Sequence, residues 1–350
     1  MPVRGDLADK ILGAWQGRCA GCLLGKPVEG WPREAIVAYL QAAGEYHLRA
    51  YVPLLAQNPV SRPLHRSAPE ATRGHIACMP RDDDIDYTIL GLSIVERYGR
   101  TFTTADVGAT LLELLPFRAV FTAERAAYRN LVNGLAPPQT ALHRNPYREW
   151  IGAEIRADIF GYLSPGRPAD AAALAYRDAA LSHDKNGIYA AMWAAAAIAA
   201  AFGAAAPADA IQAGLAEIPA SSRLHEALAR TLDWSQCLPR WEQAFDAVWE
   251  AYGHYHTVHA INNSCFVVLG LQYGRMDFGQ TIAIAVECGQ DTDCTGATAG
   301  SLLGAMLGAR ALAAVWIDPL RDRVRSLVAG ADNASIRELA ARTYRLAAVP

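Results

Sequence analysis

The chain has 350 residues, of which 52% are apolar and 19% charged, a composition typical of a globular protein with a sizeable core. The 32 basic and 35 acidic residues give a net charge of -3. No basic excess exists to neutralise a phosphate backbone, so a nucleic-acid partner is not expected. The seven scattered cysteines are an odd number, which favours a reducing cytoplasm over a disulfide framework.

Helical periodicity dominates the chain and predicts an all-α fold in a single domain covering residues 1–350. Helices are predicted over residues 6–24, 33–43, 83–98, 104–114, 123–131, 149–160, 168–180, 187–202, 208–217, 224–234, 241–252, 263–273, 277–287, 295–314 and 335–346. The alanine-rich stretch 186–207 is too weakly hydrophobic for a membrane span, and the charged first turns are not those of a signal peptide. A strand is only weakly indicated, at 46–52.

Residues 44–81 break the helical pattern with several prolines, histidines and arginines and little periodicity. An irregular segment of this length inside a compact domain is typical of a functional lid or of an ordered excursion over a site. Its basic side chains are candidates to meet a diphosphate, although surface charge is an equally good interpretation. These side chains are Arg62, His65, Arg66, Arg73 and His75.

Two sets of glycines recur every four residues, one near each end of the chain. The sets are Gly13, Gly17, Gly21 and Gly25, and Gly296, Gly300, Gly304 and Gly308. Each glycine inside a helix costs about 1 kcal/mol relative to alanine. Because residues four apart share a helix face, each set forms a smooth strip that another backbone can approach closely. We therefore predict that these two helices are central and tightly packed.

Carboxylates stand at the predicted start of two helices. Asp82, Asp83 and Asp84 open the helix at 83–98, and Asp291 and Asp293 lead into the second set of glycines. A helix start favours anions, and capping needs only one carboxylate, so a capped and solvated helix start is the alternative for the first motif. If the two motifs meet, the carboxylates form a set of hard oxygen ligands that selects Mg²⁺ or Mn²⁺, and two ions would best neutralise them.

The ordered motifs of this sequence resemble those of the ADP-ribosylglycohydrolases, which include dinitrogenase-reductase-activating glycohydrolase and the ADP-ribosylarginine and ADP-ribosylserine hydrolases. The resemblance runs over about residues 9–310. The matching segments are Ile11-Leu12-Gly13-Ala14 through Gly25-Lys26-Pro27-Val28-Glu29, Asp82–Asp84, Ser182-His183, and Asp291-Thr292-Asp293 with the glycines that follow. The last motif is quite specific, and the ordered set is highly so.

The resemblance implies an all-α fold with a centre of two Mg²⁺ or Mn²⁺ ions. The family's metal ligands fall on Asp82, Asp83, Asp84, Asp291 and Asp293. Glu29 matches the glutamate that serine-directed members use near the nucleophilic water, and we expect Glu29 to act as base while Asp293 bridges the metals. His183 matches a histidine beside the substrate, with Asn186 and Gly187 as further candidates.

The sequence departs from the family pattern in both acidic motifs. The first motif usually begins and ends with threonine, where this chain has Asp82 and Ile85. After the second aspartate of the other motif stands Cys294, and a thiol is a poor magnesium ligand, so Thr295 or water is expected to fill that position. The polar residues Asn262 and Asn263 are candidates to contact base or ribose, with helix capping as the alternative.

Three functions fit this sequence. The first is removal of ADP-ribose from a modified protein side chain, and the second is hydrolysis of a small N- or O-ribosyl compound such as a nucleoside, nucleotide or NAD-derived metabolite. The third is a non-catalytic member of the family, against which the retention of all five aspartates argues. The expected partner is thus an ADP-ribosylated protein or a small ribosylated molecule, with neither nucleic acid nor membrane, in a cytoplasmic protein.

Overall fold

The structure is a computed structural model that describes residues 2–348. Within that range it has nineteen α-helices, five short 3₁₀ turns and one two-stranded antiparallel sheet. The helices are α1 Leu7–Gly25, α2 Arg33–Ala42, α3 Ala68–Ala71, α4 Asp83–Tyr98, α5 Thr104–Leu114, α6 Ala123–Val132, α7 Gln139–Leu142, α8 Gly152–Arg156, α9 Asp158–Tyr162, α10 Pro168–Ala179, α11 Lys185–Ala201, α12 Pro207–Leu215, α13 Arg223–Cys237, α14 Trp241–Tyr252, α15 Ala260–Tyr273, α16 Phe278–Glu287, α17 Thr292–Leu307, α18 Ala314–Ile317 and α19 Ile336–Ala347. The 3₁₀ turns are Lys26–Val28, Gly99–Thr101, Phe117–Ala119, Ala309–Ala311 and Asp318–Leu320, and the strands are β1 Arg323–Val324 and β2 Ala334–Ser335.

Helices α1 and α17 form the centre of the fold, and the two sets of glycines face each other across their contact. The helices run antiparallel, so that Gly13 lies opposite Gly304 and Gly21 lies opposite Gly296. A Cβ atom built on Gly13 would lie 2.5 Å from the Gly304 carbonyl oxygen, and one on Gly21 would lie closer still to that of Gly296. Only glycine permits this approach of two backbones, which confirms the predicted close packing.

The antiparallel arrangement brings the end of α1 to the start of α17. The Thr292 hydroxyl donates a 2.8 Å hydrogen bond to the Gly25 carbonyl, which joins the last turn of one helix to the first turn of the other. Helix α4 begins nearby, because its capping residue Asp82 forms an ion pair with Lys26, the residue that follows α1. The ends of three helices therefore converge at one place.

The fold class and most of the helices are confirmed, and three predicted elements are wrong. The helix at 149–160 is divided into α8 and α9. The helix at 295–314 ends at Leu307, because Gly308 takes φ = 82° and turns the chain out of the helix. Residues 46–52 form no strand.

Residues 44–81 are irregular apart from α3, as predicted, and they are held against the helices around them. The Leu48 amide donates a 2.7 Å hydrogen bond to the buried Glu287 carboxylate. The Trp31 indole donates to the Pro63 carbonyl at 3.0 Å, and the His65 amide donates to the Pro27 carbonyl at 2.9 Å. The segment is therefore an ordered excursion beside the end of α1.

The alanine-rich helix α11 is almost entirely buried, as the sequence predicted, and packs against α9, α10 and α12. Small side chains allow several helices to approach it closely. None of the helices between residues 2 and 348 has both the length and the apolar composition needed to cross a bilayer.

Candidate metal centre

The second acidic motif is positioned by a turn that also holds the loop of Glu29. Gly289 and Gln290 both have positive φ, 81° and 68°, and a Cβ on Gly289 would lie 2.7 Å from the Arg33 amide nitrogen. The Gln290 amide donates to the Trp31 carbonyl at 2.7 Å, and the Gly30 amide donates to the Gln290 carbonyl at 2.8 Å. These two hydrogen bonds fix the loop that carries Glu29 against the start of α17.

The two acidic motifs meet in space, although more than 200 residues separate them in the sequence. Carboxylate oxygens of Glu29, Asp291 and Asp293 lie within 4.8 Å of one another. Asp84, Asp293 and Cys294 form a second group with the same spacing. Asp293 belongs to both groups, so it lies at the centre of the cluster.

Asp82 is fully engaged by protein groups. Its Oδ1 atom caps α4 by accepting the Asp84 amide at 3.0 Å, and its Oδ2 atom forms a short ion pair with the Lys26 ammonium. Burial opposes ionisation of this carboxyl, but Lys26 outweighs it and holds the pKa of Asp82 at about 2. Lys26 is itself only 5% exposed. The structure therefore contains a permanent cation at the edge of the cluster.

Both side-chain oxygens of Asp84 also accept hydrogen bonds from protein groups. The Arg18 guanidinium donates to Oδ1 at 3.1 Å, and the Cys294 thiol donates to Oδ2 at 3.3 Å. Arg18 is fully buried and also pairs with Asp158 at 2.8 Å. This guanidinium therefore balances buried carboxylates beneath the cluster.

Asp83, Asp291 and Asp293 form no ion pair of this kind among the described residues. Within residues 2–348 no basic side chain forms an ion pair with Asp291 or Asp293, both of which are 4% exposed. Burial and the neighbouring Glu29 raise the pKa of Asp291 to about 7 and that of Asp293 well above its ordinary value. Burial and the adjacent Asp82 raise the pKa of Asp83 to about 8. The Oδ1 atom of Asp293, the residue shared by the two groups of ligand atoms, is buried without a hydrogen-bond partner.

The cluster forms the floor of a cavity of about 680 Å³. Lys26, Asp82, Asp83, Asp291, Asp293 and Cys294 lie at its base, and Glu29 is partly exposed beside them. His65 and Arg66 contribute one wall from the irregular segment. Trp150 lines another part and stacks on His256 with ring centroids 4.4 Å apart. This volume is within the range of small-molecule sites.

Known protein families include one whose model matches nearly the whole chain. The family model described as ADP-ribosylglycohydrolase matches residues 4–349. This chain belongs to the ADP-ribosylglycohydrolase family. Among solved structures, one described as an ADP-ribosylglycohydrolase-related protein complex superposes with a TM-score of 0.63 at 21% identity, covering 98% of this chain and 99% of that one, and so shares its fold. No match was found among curated proteins.

Several residues of this family member that were predicted to contact substrate lie behind the cavity wall. His183 is 1% exposed, and its Nδ1 atom lies 2.8 Å from the Ser182 hydroxyl. Asn186 donates to the Glu149 carboxylate at 2.6 Å, and Gly187 packs against the ring of His183. None of the three lines the cavity, so the structure gives them a supporting position.

The other predicted polar residues have similar positions. Asn263 accepts the Asp291 amide at 3.3 Å and thereby supports the start of α17, while Asn262 donates to the His256 carbonyl at 3.2 Å. The Thr295 hydroxyl donates to the backbone carbonyls of Thr292 and Ala285, so the structure does not bring Thr295 to the cluster as a ligand.

Four residues at or beneath the cavity escaped the sequence reasoning. Lys26 lies inside the motif that carries Glu29, but a lone lysine there carried no signal of its own. Arg18 stands on the glycine-rich helix, and its burial depends on contacts with α4 and α9. Glu124 and Trp150 come from distant segments with no local motif. Burial, only partly offset by Arg156, raises the pKa of Glu124 to about 7.

Proposed function

We propose that this protein is a metal-dependent glycohydrolase that cleaves a ribosyl bond and releases ADP-ribose from a modified acceptor. The observation that carries the proposal is the meeting of the two acidic motifs at Asp293, on the floor of a cavity. The buried, unpartnered Asp293 Oδ1 atom fits a bound cation, because an uncompensated buried charge is costly. The hard oxygens of Asp291 and Asp293 favour Mg²⁺ or Mn²⁺.

A bound divalent ion would supply positive charge for ribose hydroxyls and for an attacking water. The protein's own part is to place Glu29 next to that position, at the partly exposed edge of the cluster. Burial and the charge of Asp82 raise the pKa of Glu29, which makes its carboxylate a stronger base. We assign Glu29 to accept the water proton as the anomeric carbon develops oxocarbenium character. Asp293 would hold the cation beside it.

The walls of the cavity suit an ADP-ribosyl group. Arg66 and His65 offer hydrogen-bond donors to a diphosphate, and the irregular segment that carries them is docked on the end of α1. Trp150 presents an aromatic surface for a base or ribose ring. Of the other basic residues in that segment, Arg73 pairs with Glu45 away from the cavity.

The test is metal-dependent release of ADP-ribose from peptides modified on arginine or serine. We expect turnover with Mg²⁺ or Mn²⁺, none after chelation, and recovery when the metal returns. Asp293→Asn is expected to lower kcat by at least about 10³-fold, because several kcal/mol of charge stabilisation depends on the metal. Cleavage at the wild-type rate in the presence of a chelator would refute the proposal.

The matched variant for the base is Glu29→Gln, which keeps the size and polarity of the side chain. We expect it to bind Mn²⁺ but to lose activity by about 10²–10⁴-fold, the usual contribution of general base catalysis. Full turnover by this variant with metal bound would remove the role assigned to Glu29. The same assay with free nucleosides, nucleotides and NAD tests the small-molecule alternative, and the cytoplasmic location stays a prediction from the cysteine pattern.

A further inference from the structure

The acidic cluster contains two built-in cations, and each occupies a carboxylate that the sequence assigned to metal. Lys26 and the α4 cap engage both oxygens of Asp82. Arg18 and the Cys294 thiol engage both oxygens of Asp84. A metal ion could take these oxygens only by displacing buried, charge-assisted contacts, which are among the strongest hydrogen bonds in proteins.

The carboxylates that remain suit one divalent ion. Asp291 and Asp293 are buried and form no ion pair with a basic side chain among the described residues, so both are available to a cation at the base of the cavity. Glu29 completes a triad with them and keeps contact with solvent. Asp83 lines the cavity and is also partly exposed. The neighbouring group, Asp84, Asp293 and Cys294, offers a thiol and an Arg18-bound carboxylate, which suit a hard ion poorly.

The main chain holds the Lys26 ammonium group permanently beside Asp82. Lys26 follows the last turn of α1, in a 3₁₀ turn whose second residue is proline, and its ammonium group points to the base of the cavity. The ammonium group is tethered by the main chain and cannot be lost by dilution or chelation.

We propose that Lys26 takes the place of a second metal ion, so that the centre binds one divalent cation through Asp291 and Asp293, beside Glu29. The inference rests on the proposed metal-dependent function and replaces the expected pair of ions with one ion and one ammonium group. Lys26 then has a positioning role, because it fixes and neutralises Asp82 beside the bound cation.

The experiment counts Mn²⁺ bound to the full-length protein by equilibrium dialysis and records its electron paramagnetic resonance spectrum. We expect one ion per wild-type chain and the six-line spectrum of an isolated Mn²⁺. Two ions bridged at about 3.5–4 Å would instead give an exchange-coupled signal. Lys26→Met leaves Asp82 without its counter-ion and is expected to raise the count from one to two, with coupling.

Two controls separate the charge effect from a general effect of removing a buried lysine. Lys10 is also buried and donates to the Phe202 carbonyl at 3.0 Å, away from the cluster, so Lys10→Met is expected to bind one ion. The double variant Lys26→Met with Asp82→Asn removes both members of the pair and is also expected to bind one. If Lys26→Met does not fold, Lys26→Gln keeps a donor for Asp82 without the charge and carries the same expectation.

The possible results distinguish this inference from the proposed function. Two ions in the wild type, or one in a folded Lys26 variant, would overturn the assignment of Lys26 and leave metal-dependent hydrolysis intact. A wild type that binds no Mn²⁺ would overturn the metal-dependent function itself, and this inference with it.

Discussion

The pairing of α1 with α17 has two contrasting regions. Along most of its length, glycine faces glycine and the backbones touch, with no side chain between them. At the end where α1 stops and α17 starts, carboxylates crowd together and a buried oxygen has no partner. The first region has low freedom to rearrange because it is packed on backbone atoms. The second would move apart if it were free, since like charges repel.

The contrast shows how the fold keeps a repulsive site intact. Close packing on one side holds the two helix ends in register, and the Thr292–Gly25 hydrogen bond extends that register to the first turn of α17. Arg18 and Lys26 then neutralise only part of the charge. Electrostatic repulsion of this kind persists where the surrounding packing holds the charged groups in place, and it is common at functional sites.

The largest loss of stability should follow from inserting a side chain into the glycine contact. Gly21→Val would drive its Cβ into the Gly296 carbonyl, and we expect a loss of about 5 kcal/mol or more in the free energy of unfolding, measured with urea. The control is Gly44→Ala, which has open space but positive φ and is expected to cost only about 1–2 kcal/mol. Equal stability of the two variants would show that the close approach is not important.

Removing the buried guanidinium tests the charged region. Arg18→Met leaves Asp84 and Asp158 buried without their cation, so the free energy of unfolding is expected to fall by about 3–5 kcal/mol. The matched control is Arg97→Met, because Arg97 pairs with Glu113 on the surface, where loss of the pair is expected to cost at most about 1 kcal/mol. A small effect of Arg18→Met in urea unfolding would mean that the two carboxyls are protonated in the folded protein.

The smallest change in stability should come from replacing one buried carboxyl outside the acidic cluster. Burial, only partly offset by the 2.7 Å hydrogen bond from Ser264, raises the pKa of Glu154 to about 8. The pKa of Glu154 in the folded state lies above its value in the unfolded state. The contribution of Glu154 to the free energy of unfolding is therefore complete below about pH 4.5 and declines as the pH rises towards 8. Glu154→Gln is therefore expected to flatten the fall in melting temperature between pH 5 and 8. A slope as steep as in the wild type would contradict this.

Local patterns predicted the parts of this fold that local physics determines. Helix α4 begins at Asp83 as expected, because a capping aspartate precedes an apolar repeat. The division of the helix predicted at 149–160 lies in a buried segment that packs against α4, α10 and α11, so its cause is tertiary. The end of α17 was missed because Gly308 continues the four-residue spacing but turns the chain instead of extending the helix.

In the candidate site too, local sequence patterns predicted only the features that depend on neighbouring residues. The carboxylates were visible because several stand together in short motifs at helix starts. The cations that balance them were not visible, since Arg18 acquires its partners through contacts with α4 and α9. The family resemblance made His183 and Asn186 candidates to contact substrate, yet their side chains form hydrogen bonds with Ser182 and Glu149.

The glycine contact also limits how this protein can change over generations. In most cores, an oversized residue can be accommodated by a smaller side chain across the interface. Here the group opposite Gly17 is the Gly300 peptide carbonyl, which belongs to the main chain and cannot be made smaller by any substitution. A lesion on one helix therefore has no simple suppressor on the other, and second-site rescue screens starting from Gly17 variants should return revertants at the same codon.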